Sequence, residues 1–531
     1  MQYVSTRNKE QKCSAAQAIA QGLAADGGLL IPEVLPKLAP NGLKTMTDMS
    51  YQQRAVYVMG SFLDDFTASE LSMFASRAYG KGKFDTKEVA PVREVDGNTY
   101  CLELWHGPTC AFKDMALQML PHLLSAALVK NEERKTVCIL VATSGDTGKA
   151  ALEGFKDVDK TRILVFYPKD GVSDIQKLQM QTQEGDNVGV CAVVGNFDDA
   201  QTGVKALFSD EELRETLAGR GFFFSSANSI NWGRVLPQVV YYISAYCDLL
   251  KMGKIQKGDP INICVPTGNF GNILSAYYAK QMGVPVHKLI CASNRNNVLT
   301  DFIKTGVYDR ERPFYHTTSP SMDILISSNL ERLLFEFTER DDEAVKRYMD
   351  QLASEGRYEV SEKVKKQLDN QFAAGYCDDQ GAAETIGEMW KAQKYLIDPH
   401  TAVAFHVLKE YRAETGDQTP TVVVSTASPF KFCDSVLHAL GVEELAEGTD
   451  RIGQLSELTG VPAPAPLSGL AGKYPPHSEK APEPPVRCGT GWQQGVAQTK
   501  KRPASSASSF YSKTSSLDCS RLRRRKWHLS G

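Results

Sequence analysis

Short apolar runs alternate with helical stretches along the chain from about residue 96 onward. Six of these runs have the length and composition of strands, and they span residues 135–142, 161–168, 189–195, 261–266, 288–293 and 421–426. They are apolar almost throughout, which is typical of strands that helices cover on both faces of a parallel sheet. Because helical stretches separate most of them, the pattern predicts an α/β fold of mostly parallel sheets with helices on both faces.

The two ends of the chain have different patterns. Residues 1–95 mix helical periodicity with turns rich in Gly and Pro, and the pattern changes from about residue 96 onward. The stretch 461–531 is rich first in Pro and then in Ser and Arg, with few residues that could form a core. This composition predicts a disordered tail, and both a genuine tail and an aberrant terminus are compatible with it.

Composition and charge narrow the functional class. The 531 residues are 42% hydrophobic and 23% charged, as in soluble globular proteins, and no apolar run reaches the ~20 residues that cross a membrane. The 12 cysteines include no CxxC pair, and the first residues lack the apolar core of an export signal, so we expect reduced thiols and a cytoplasmic protein. From residue 486 onward ten Lys or Arg and one Asp give a net charge of +9, which leaves −12 on the rest. An acidic body does not favour binding of nucleic acid.

The first candidate ligand loop, "TSGDTG" at residues 143–148, follows a predicted strand and leads into a helix. Its glycines allow a tight turn, and its hydroxyl groups and the free N–H groups of the helix could hold a carboxylate or a phosphate. A nucleotide-binding P-loop is not expected, because Gly145 and Gly148 are too close together and Ala150 stands where a Ser or Thr is needed.

The second loop, "PTGNFGN" at residues 266–272, also joins a predicted strand to a helix. Two glycines at such a turn can form a phosphate cradle from backbone N–H groups and the helix dipole, although a tight turn alone would explain them. A third segment, "STAS" at 425–428, ends the last strong strand and could contact a ligand or cap the next element.

Lys113 follows a Gly-Pro turn in "HGPTCAFKD" and precedes an apolar helical run. From this stretch alone it is either a solvated surface charge or a lysine held in a cleft as a nucleophile. His106, His400 and His406 lack the spacing of zinc ligands, and we expect them to pack or to form hydrogen bonds.

These motifs occur in an order that resembles threonine synthase, a pyridoxal-phosphate enzyme of the tryptophan-synthase-β-like family, fold type II. The resemblance covers about residues 1–460 and includes "GLAADGGLLIPE", "NSINWGRVLPQ" and "LIDPHTAVAF". It implies an N-terminal domain at 1–95 and a catalytic region of two α/β domains at 96–460. Within that region the smaller domain is expected at about 115–226, and the larger at 96–114 and 227–460.

The resemblance also implies roles for individual residues. Lys113 matches the lysine that carries pyridoxal phosphate and acts in catalysis, and Thr426 matches the hydroxyl residue that faces the pyridine nitrogen. The cofactor phosphate would be held by Gly268, Asn269, Phe270, Gly271 and Asn272. Contacts to the substrate are expected from Ser144, Asp146 and Thr147, which lie in the carboxylate-binding loop, and from Asn228, Ser229, Asn231 and Arg234, which match phosphate contacts.

The implied reaction converts O-phospho-L-homoserine and water to L-threonine and phosphate. Lys113 would act as general base and acid, while the cofactor acts as the electron sink. One alternative is a related phospho-lyase that gives 2-oxobutanoate without adding water, and another is a non-catalytic relative. We expect a small-molecule substrate, no nucleic acid or membrane partner for the body of the protein, and a monomer or homodimer.

Overall fold

The computed structural model describes residues 1–143, 145–169, 172–195, 197–473 and 475–477. Its first part is a three-stranded antiparallel sheet, ordered β2-β1-β3, with helices packed beside it. The elements of this part are β1 (Tyr3–Ser5), β2 (Asn8–Cys13), α1 (Ala15–Gln21), β3 (Leu30–Pro32), α2 (Gly42–Thr47), α3 (Tyr51–Gly60) and α4 (Ala68–Tyr79). Ser14, Ser50 and Thr67 begin α1, α3 and α4 with capping boxes, in which the hydroxyl group and the third helical residue satisfy each other's backbone N–H groups.

The middle of the chain forms a four-stranded parallel sheet ordered β8-β7-β6-β9. This sheet lies within the stretch expected for the smaller α/β domain. From residue 92 to residue 225 the elements are β4 (Val92–Asp96), β5 (Thr99–Glu103), α5 (Asp114–Leu117), α6 (Leu120–Lys130), β6 (Thr136–Ala142), α7 (Asp146–Phe155), β7 (Thr161–Pro168), α8 (Asp174–Gln181), β8 (Val188–Val193), α9 (Phe197–Ser209), α10 (Glu211–Gly219) and β9 (Phe222–Ser225).

A six-stranded sheet, ordered β14-β11-β10-β15-β5-β4, forms the centre of the larger unit, and only β4 runs antiparallel to its neighbour. The remaining elements are α11 (Trp232–Lys251), β10 (Ile261–Pro266), α12 (Gly271–Met282), β11 (Val286–Ser293), α13 (Val298–Thr305), β12 (Val307–Asp309), α14 (Leu330–Phe337), α15 (Asp342–Glu355), β13 (Arg357–Glu359), α16 (Glu362–Gln371), β14 (Phe372–Tyr376), α17 (Asp379–Gln393), α18 (Pro399–Thr415), β15 (Thr421–Ser425), α19 (Cys433–Ala439), α20 (Asp450–Thr459) and α21 (Ala465–Ser468). Short 3₁₀ turns occupy Pro320–Met322 and Pro429–Lys431.

The predicted fold class is confirmed, since both larger sheets are mostly parallel and helices separate most of their strands. All six predicted strands are present, with bounds that differ by at most two residues. The sequence missed β5, β9 and β14, which have four or five residues each and lack the long β-branched runs of the others. The boundary at residue 95 falls inside β4, a strand that already belongs to the six-stranded sheet.

Helix α11 is the centre of the core. Seventeen of its 20 residues are buried, although it contains Pro237. A helix that is buried on all sides needs neighbours all round, and α11 packs against α2 and α3 of the N-terminal part and against α12 of the larger unit. It therefore joins the N-terminal part to the rest of the protein.

The prediction of disorder from residue 461 onward is wrong for the first part of that segment. Helix α21 lies there, and Leu467 and Leu470 are buried in the same apolar cluster as Leu455. The physical reason is that two leucines three residues apart can pack together even in a Pro-rich stretch. The basic end of the segment lies outside the described residues. Among the helices that the structure describes, none is long and apolar enough to cross a membrane.

Candidate active site

The loop that carries Lys113 is held in place by the next residue, Asp114. The Asp114 carboxylate accepts hydrogen bonds from the backbone N–H of Thr109 at 2.8 Å and from the Thr109 hydroxyl group at 2.6 Å. A Cβ atom at Gly107 would lie 2.5 Å from Asp114 Oδ2, so only glycine allows this close approach. These contacts make the loop compact, and Lys113 points inward, where 8% of the residue is exposed. The solvated surface charge is therefore excluded.

The end of strand β15 runs beside this loop. The Phe112 N–H donates to the Thr426 carbonyl oxygen at 2.8 Å, and the Ser428 N–H donates to the Cys110 carbonyl oxygen at 3.1 Å. Thr426 is itself buried. These bonds bring together the lysine motif and the "STAS" segment, which are more than 300 residues apart in the sequence.

Two acceptors face the amine of Lys113. Its Nζ lies 3.3 Å from Ser321 Oγ and 3.6 Å from Asp146 Oδ2. Burial lowers the pKa of Lys113, and the positive charges of Lys431 and Arg234 lower it further, while Asp146 opposes them. Because the pKa of Lys113 is lowered, a larger fraction of its amine is neutral and nucleophilic than for a lysine in water.

Asp146 is the counter-ion of the site. Its Oδ1 accepts hydrogen bonds from Lys431 Nζ at 2.7 Å and from Gln176 Nε2 at 2.9 Å. Burial alone would raise the pKa of Asp146, but Lys431 and Lys113 hold it well below its usual range. Because this carboxylate is already engaged by cations, it is placed to balance their charge rather than to bind the carboxylate of a substrate.

The other residues predicted in that loop have different outcomes. Thr147 is half-buried in the first turn of α7. Ser144 lies outside the described residues.

The "PTGNFGN" loop joins β10 to α12, as predicted. Phe270 takes a left-handed backbone conformation with φ of 61° and Gly271 begins the helix, so the backbone turns sharply at the helix N-terminus. A Cβ atom at Gly268 would lie 2.7 Å from the Ser321 carbonyl oxygen. The Asn329 side-chain amide also donates to the Asn269 carbonyl oxygen at 3.0 Å. The loop is thus packed tightly against the segment that supplies Ser321.

The donors around this loop fit pyridoxal phosphate. The Asn272 Oδ1 accepts hydrogen bonds from the hydroxyl groups of Tyr241 and Tyr242, while its Nδ2 is buried without a partner among the described residues. The Arg234 Nε is also buried without a hydrogen-bond partner among the described residues. Unpaired buried donors, a helix N-terminus and a glycine cradle are suited to a phosphate group, and Lys113 offers an amine to an aldehyde.

The four residues predicted to bind the substrate phosphate separate into two pairs. Arg234 is buried, its Nη1 donates to the Ala227 carbonyl oxygen at 2.9 Å, and burial lowers its pKa to about 10. Ser229 Oγ lies 3.4 Å from Ser328 Oγ, which in turn contacts the Asn269 side chain. These two residues are near the site.

The other pair has a different position. The Asn231 amide caps α11 by accepting from the Gly233 N–H at 2.8 Å, and it donates to the Ile19 carbonyl oxygen at 3.0 Å. Both ends of the Asn231 side chain are thus used within the fold, and its contact with the substrate stays a prediction. Asn228 is exposed.

Sequence analysis missed Lys431, Ser321 and Gln176, and it assigned no function to His400. Lys431 is fully buried and donates to the Thr109 carbonyl oxygen at 2.9 Å as well as to Asp146. Lys431 stands five residues after Thr426, and this closeness to a candidate site residue was the one sequence signal that could have identified it. Ser321 lies in a polar loop that contains no motif of recognisable spacing.

Comparison with known proteins shows the family to which the fold belongs. A family model described as "Pyridoxal-phosphate dependent enzyme" matches residues 89–427. Models for the threonine synthase N terminus and the threonine synthase C-terminal region match residues 2–79 and 401–465. The crystal structure of pyridoxal-phosphate-bound threonine synthase from Brucella melitensis superimposes with a TM-score of 0.77 at 38% identity, over 85% of this chain and 94% of that chain.

Two curated relatives show how far the similarity extends. Threonine synthase of Pseudomonas aeruginosa is 39% identical over 437 residues, which cover 82% of this chain and 90% of that protein. Threonine synthase-like 1 of Homo sapiens is 42% identical over 463 residues, which cover 84% of this chain. The chain spans 61% of the length of the human protein.

The fold and the site define a pyridoxal-phosphate-dependent enzyme of fold type II. Membership of this class confirms the predicted cofactor, pyridoxal phosphate. Within that class the chain belongs to the threonine synthase family. Family membership confirms the expectation of a pyridoxal-phosphate-dependent lyase at the level of the family.

Proposed function

We propose that the protein converts O-phospho-L-homoserine and water to L-threonine and phosphate by γ-elimination and β-addition of water, the last step of threonine biosynthesis. The observation that carries this proposal is the charge of the site. Lys431 and Arg234 place two positive charges near the amine of Lys113, and Asp146 is the carboxylate that lies beside both lysines. Such an excess of positive charge suits two phosphate groups, one on the cofactor and one on the substrate.

Lys113 is the group that moves protons. Pyridoxal phosphate, when bound, supplies an electron sink for negative charge that develops on the substrate. The lowered pKa of Lys113 keeps a share of its amine neutral, so that it can take the proton from the substrate Cα. As the conjugate acid, the same amine can return a proton at Cβ or at the cofactor.

Release of phosphate from the substrate Cγ needs donors that stabilise the leaving group. Arg234 supports this role because its Nε is buried without a partner in the described part of the chain. Ser229 adds a hydroxyl group near the cofactor loop, through its contact with Ser328. Hydrogen bonds of this kind are strong when the site excludes water, and they favour the departing dianion.

A phospho-lyase that forms 2-oxobutanoate from the same substrate is the second candidate. It is favoured by one observation, that relatives with 42% identity carry the name threonine synthase-like 1 rather than threonine synthase. Lys113 and the cofactor loop would serve both reactions equally. Their difference lies in whether water is added at Cβ before the product leaves.

The test is a product assay on the full-length protein loaded with pyridoxal phosphate. O-phospho-L-homoserine is added, and phosphate, threonine and 2-oxobutanoate are measured together. Equal amounts of phosphate and threonine are expected. Equal amounts of phosphate and 2-oxobutanoate would establish the lyase, and no phosphate release from cofactor-loaded protein would favour the non-catalytic relative.

A cytoplasmic location and a monomeric or dimeric state complete the proposal. Size-exclusion chromatography with light scattering tests the oligomeric state.

A further inference from the structure

We propose that His400 is a positioning residue, which acts through Ser321 to aim the amine of Lys113. The inference rests on the proposed function only in taking Lys113 as the reactive amine. His400 and Lys113 are not in contact, and Ser321 lies between them. Each link in this chain of three residues is a separate contact in the structure.

The first link fixes the His400 imidazole. His400 is buried in the first turn of α18, and its Nδ1 lies 2.7 Å from Asp398 Oδ2. Asp398 is itself held, because it caps α18 by accepting from the N–H groups of His400 and Thr401. The Asp398 carboxylate can only accept, so Nδ1 carries the ring proton, and Nε2, which faces the Ser321 N–H, is the acceptor. The Phe432 ring packs against the imidazole at 62°, with 5.0 Å between the ring centroids, and restricts its rotation further.

The second link joins the imidazole to Ser321. The Ser321 backbone N–H donates to His400 Nε2 at 3.2 Å. Ser321 is the middle residue of the 3₁₀ turn Pro320–Met322, and its other two polar groups face the active site. Its Oγ lies 3.3 Å from Lys113 Nζ, and its carbonyl oxygen lies 2.7 Å from the position that a Cβ at Gly268 would take. One residue therefore connects the imidazole, the reactive amine and the cofactor loop.

The turn has other anchors, so His400 is not needed to form it. The Asn294 side-chain amide donates to Ser319 Oγ at 3.1 Å and to Asp323 Oδ1 at 2.8 Å. Thr317 also donates from its hydroxyl group to Asp323, at 2.7 Å. These bonds hold both ends of the turn, whereas His400 contacts its middle. Loss of His400 should thus leave the turn in place and free Ser321 to rotate.

The consequence falls on Lys113, whose amine has two acceptors of different character. Ser321 Oγ is neutral and favours the ammonium form far less than the Asp146 carboxylate does. When Ser321 turns away, the amine moves toward Asp146, and the share of neutral amine falls. A group displaced by about 1 Å from its reactive geometry can lose on the order of 100-fold in rate.

The experiment measures how fast Lys113 captures the cofactor. Full-length apoprotein is prepared from each variant, and its fold is checked by circular dichroism. Pyridoxal phosphate is then added at one pH, and the rate of appearance of the lysine-bound absorbance band is recorded. We expect His400→Leu and Ser321→Ala to slow capture about tenfold, which is a modest part of the loss that misplacement can cause.

Two comparisons separate positioning from a merely structural role. His400→Gln places an amide oxygen near the position of Nε2 and should restore capture to within about threefold of the wild-type rate, whereas the shorter His400→Asn should not. This pair differs by one methylene group and carries the test if His400→Leu does not fold. Adding His400→Leu to Ser321→Ala should slow capture less than about twofold further, because residues that act through one another are not additive.

Two outcomes would overturn the inference. One is an unchanged capture rate in folded His400→Leu or His400→Asn protein, and the other is an effect of His400→Leu that multiplies fully with that of Ser321→Ala. The capture assay contains no substrate. A negative product assay would therefore refute the proposed function and leave the conclusion on His400 unaffected. As a second readout, exchange of the Cα hydrogen of L-threonine in D₂O by the holoenzyme should fall in rate while the half-saturating concentration stays nearly constant.

Discussion

Lys431 Nζ lies 2.7 Å from Asp146 Oδ1, and both side chains are almost completely buried. The two residues are 285 positions apart in the chain, and the pair lies beside the amine of Lys113. A buried pair of this kind stabilises a protein only while both partners are present, because a single buried charge is poorly solvated. Loss of Lys431 would therefore leave the buried Asp146 carboxylate with Lys113 as its remaining lysine partner.

Replacing Lys431 with Met should raise the pKa of Lys113. The change removes a positive charge and also leaves Asp146 to pair with Lys113, and both effects favour the ammonium form. The pH at which cofactor capture is half-maximal should therefore move upward, since capture needs the neutral amine. A pH series of capture rates measures this shift, and the matched variant Lys409→Met, which breaks an exposed ion pair with Glu388, should leave it unchanged. A downward shift would contradict the geometry.

Lys113→Ala should abolish both turnover and the visible band of the bound cofactor while leaving the fold intact. The loss of turnover should exceed about 100-fold, the lower end of what a general acid–base group contributes. The melting temperature of the apoprotein should not fall, because the substitution removes an amine whose charged form is disfavoured by burial. Spectroscopy and phosphate release measure the two effects, and Lys363→Ala, at an exposed ion pair, serves as the control. Full activity in Lys113→Ala would refute the assignment of the catalytic lysine.

Gly268→Ala should weaken binding of pyridoxal phosphate. The new Cβ would lie 2.7 Å from the Ser321 carbonyl oxygen, so the cofactor loop or the 3₁₀ turn must shift. A titration of apoprotein with cofactor should give at least a tenfold higher dissociation constant, which corresponds to about 1.4 kcal/mol. The control is Gly453→Ala in α20, where a Cβ meets nothing within 4 Å. Equal affinity in the two variants would show that the loop is not a close-fitting cradle.

His106 should make stability depend on pH on the alkaline side. Burial lowers its pKa, but hydrogen bonds with Asp85 and Glu103 outweigh this and raise it to about 9. A histidine with a raised pKa in the folded state contributes stability below its unfolded pKa of about 6.5, and that contribution is lost as the pH rises through 9. The difference in melting temperature between wild type and His106→Gln should therefore shrink between pH 6.5 and pH 9.5.

The free energy involved is about 1–2 kcal/mol, since Asp85 is partly exposed and solvent screens its charge. Asp85→Asn removes one of the two partners of His106, so the melting temperature of this variant should depend less on pH than that of the wild type. A difference that grows with rising pH would be inconsistent with the ion pairs around His106.

Truncation should distinguish the two parts of the C-terminal segment. Removal of residues 486–531 should leave activity and melting temperature nearly unchanged, because this part has few apolar residues that could form a core. Removal of residues 461–531 also deletes Leu467 and Leu470, which are buried in the core, and should destabilise the protein by about 3–6 kcal/mol. Thermal unfolding of the two truncated proteins tests both statements. Loss of folded protein in the shorter deletion would show that the basic end is packed.

Much of the fold could be predicted because its causes are local. The apolar runs of β6, β7 and β10 are long and rich in β-branched residues, and helical stretches between strands require parallel pairing. The short β9 and β14 were missed, since their pairing partners rather than their own residues make them strands. Leu467 and Leu470 were overlooked for the same reason, as their burial depends on a surface formed elsewhere in the chain.

The candidate site follows the same division. The sequence by itself singled out Lys113, the glycines of the cofactor loop and Thr426 as candidates, because each lies in a short motif whose order resembles that of the family. Only the tertiary structure decided that Lys431 and Ser321 lie beside the amine of Lys113, that His400 contacts Ser321, and that Asn231 is used as a helix cap. The physical reason is that a charged pair or a hydrogen bond between distant segments depends on how the sheets and helices pack, and no spacing along the chain records that packing.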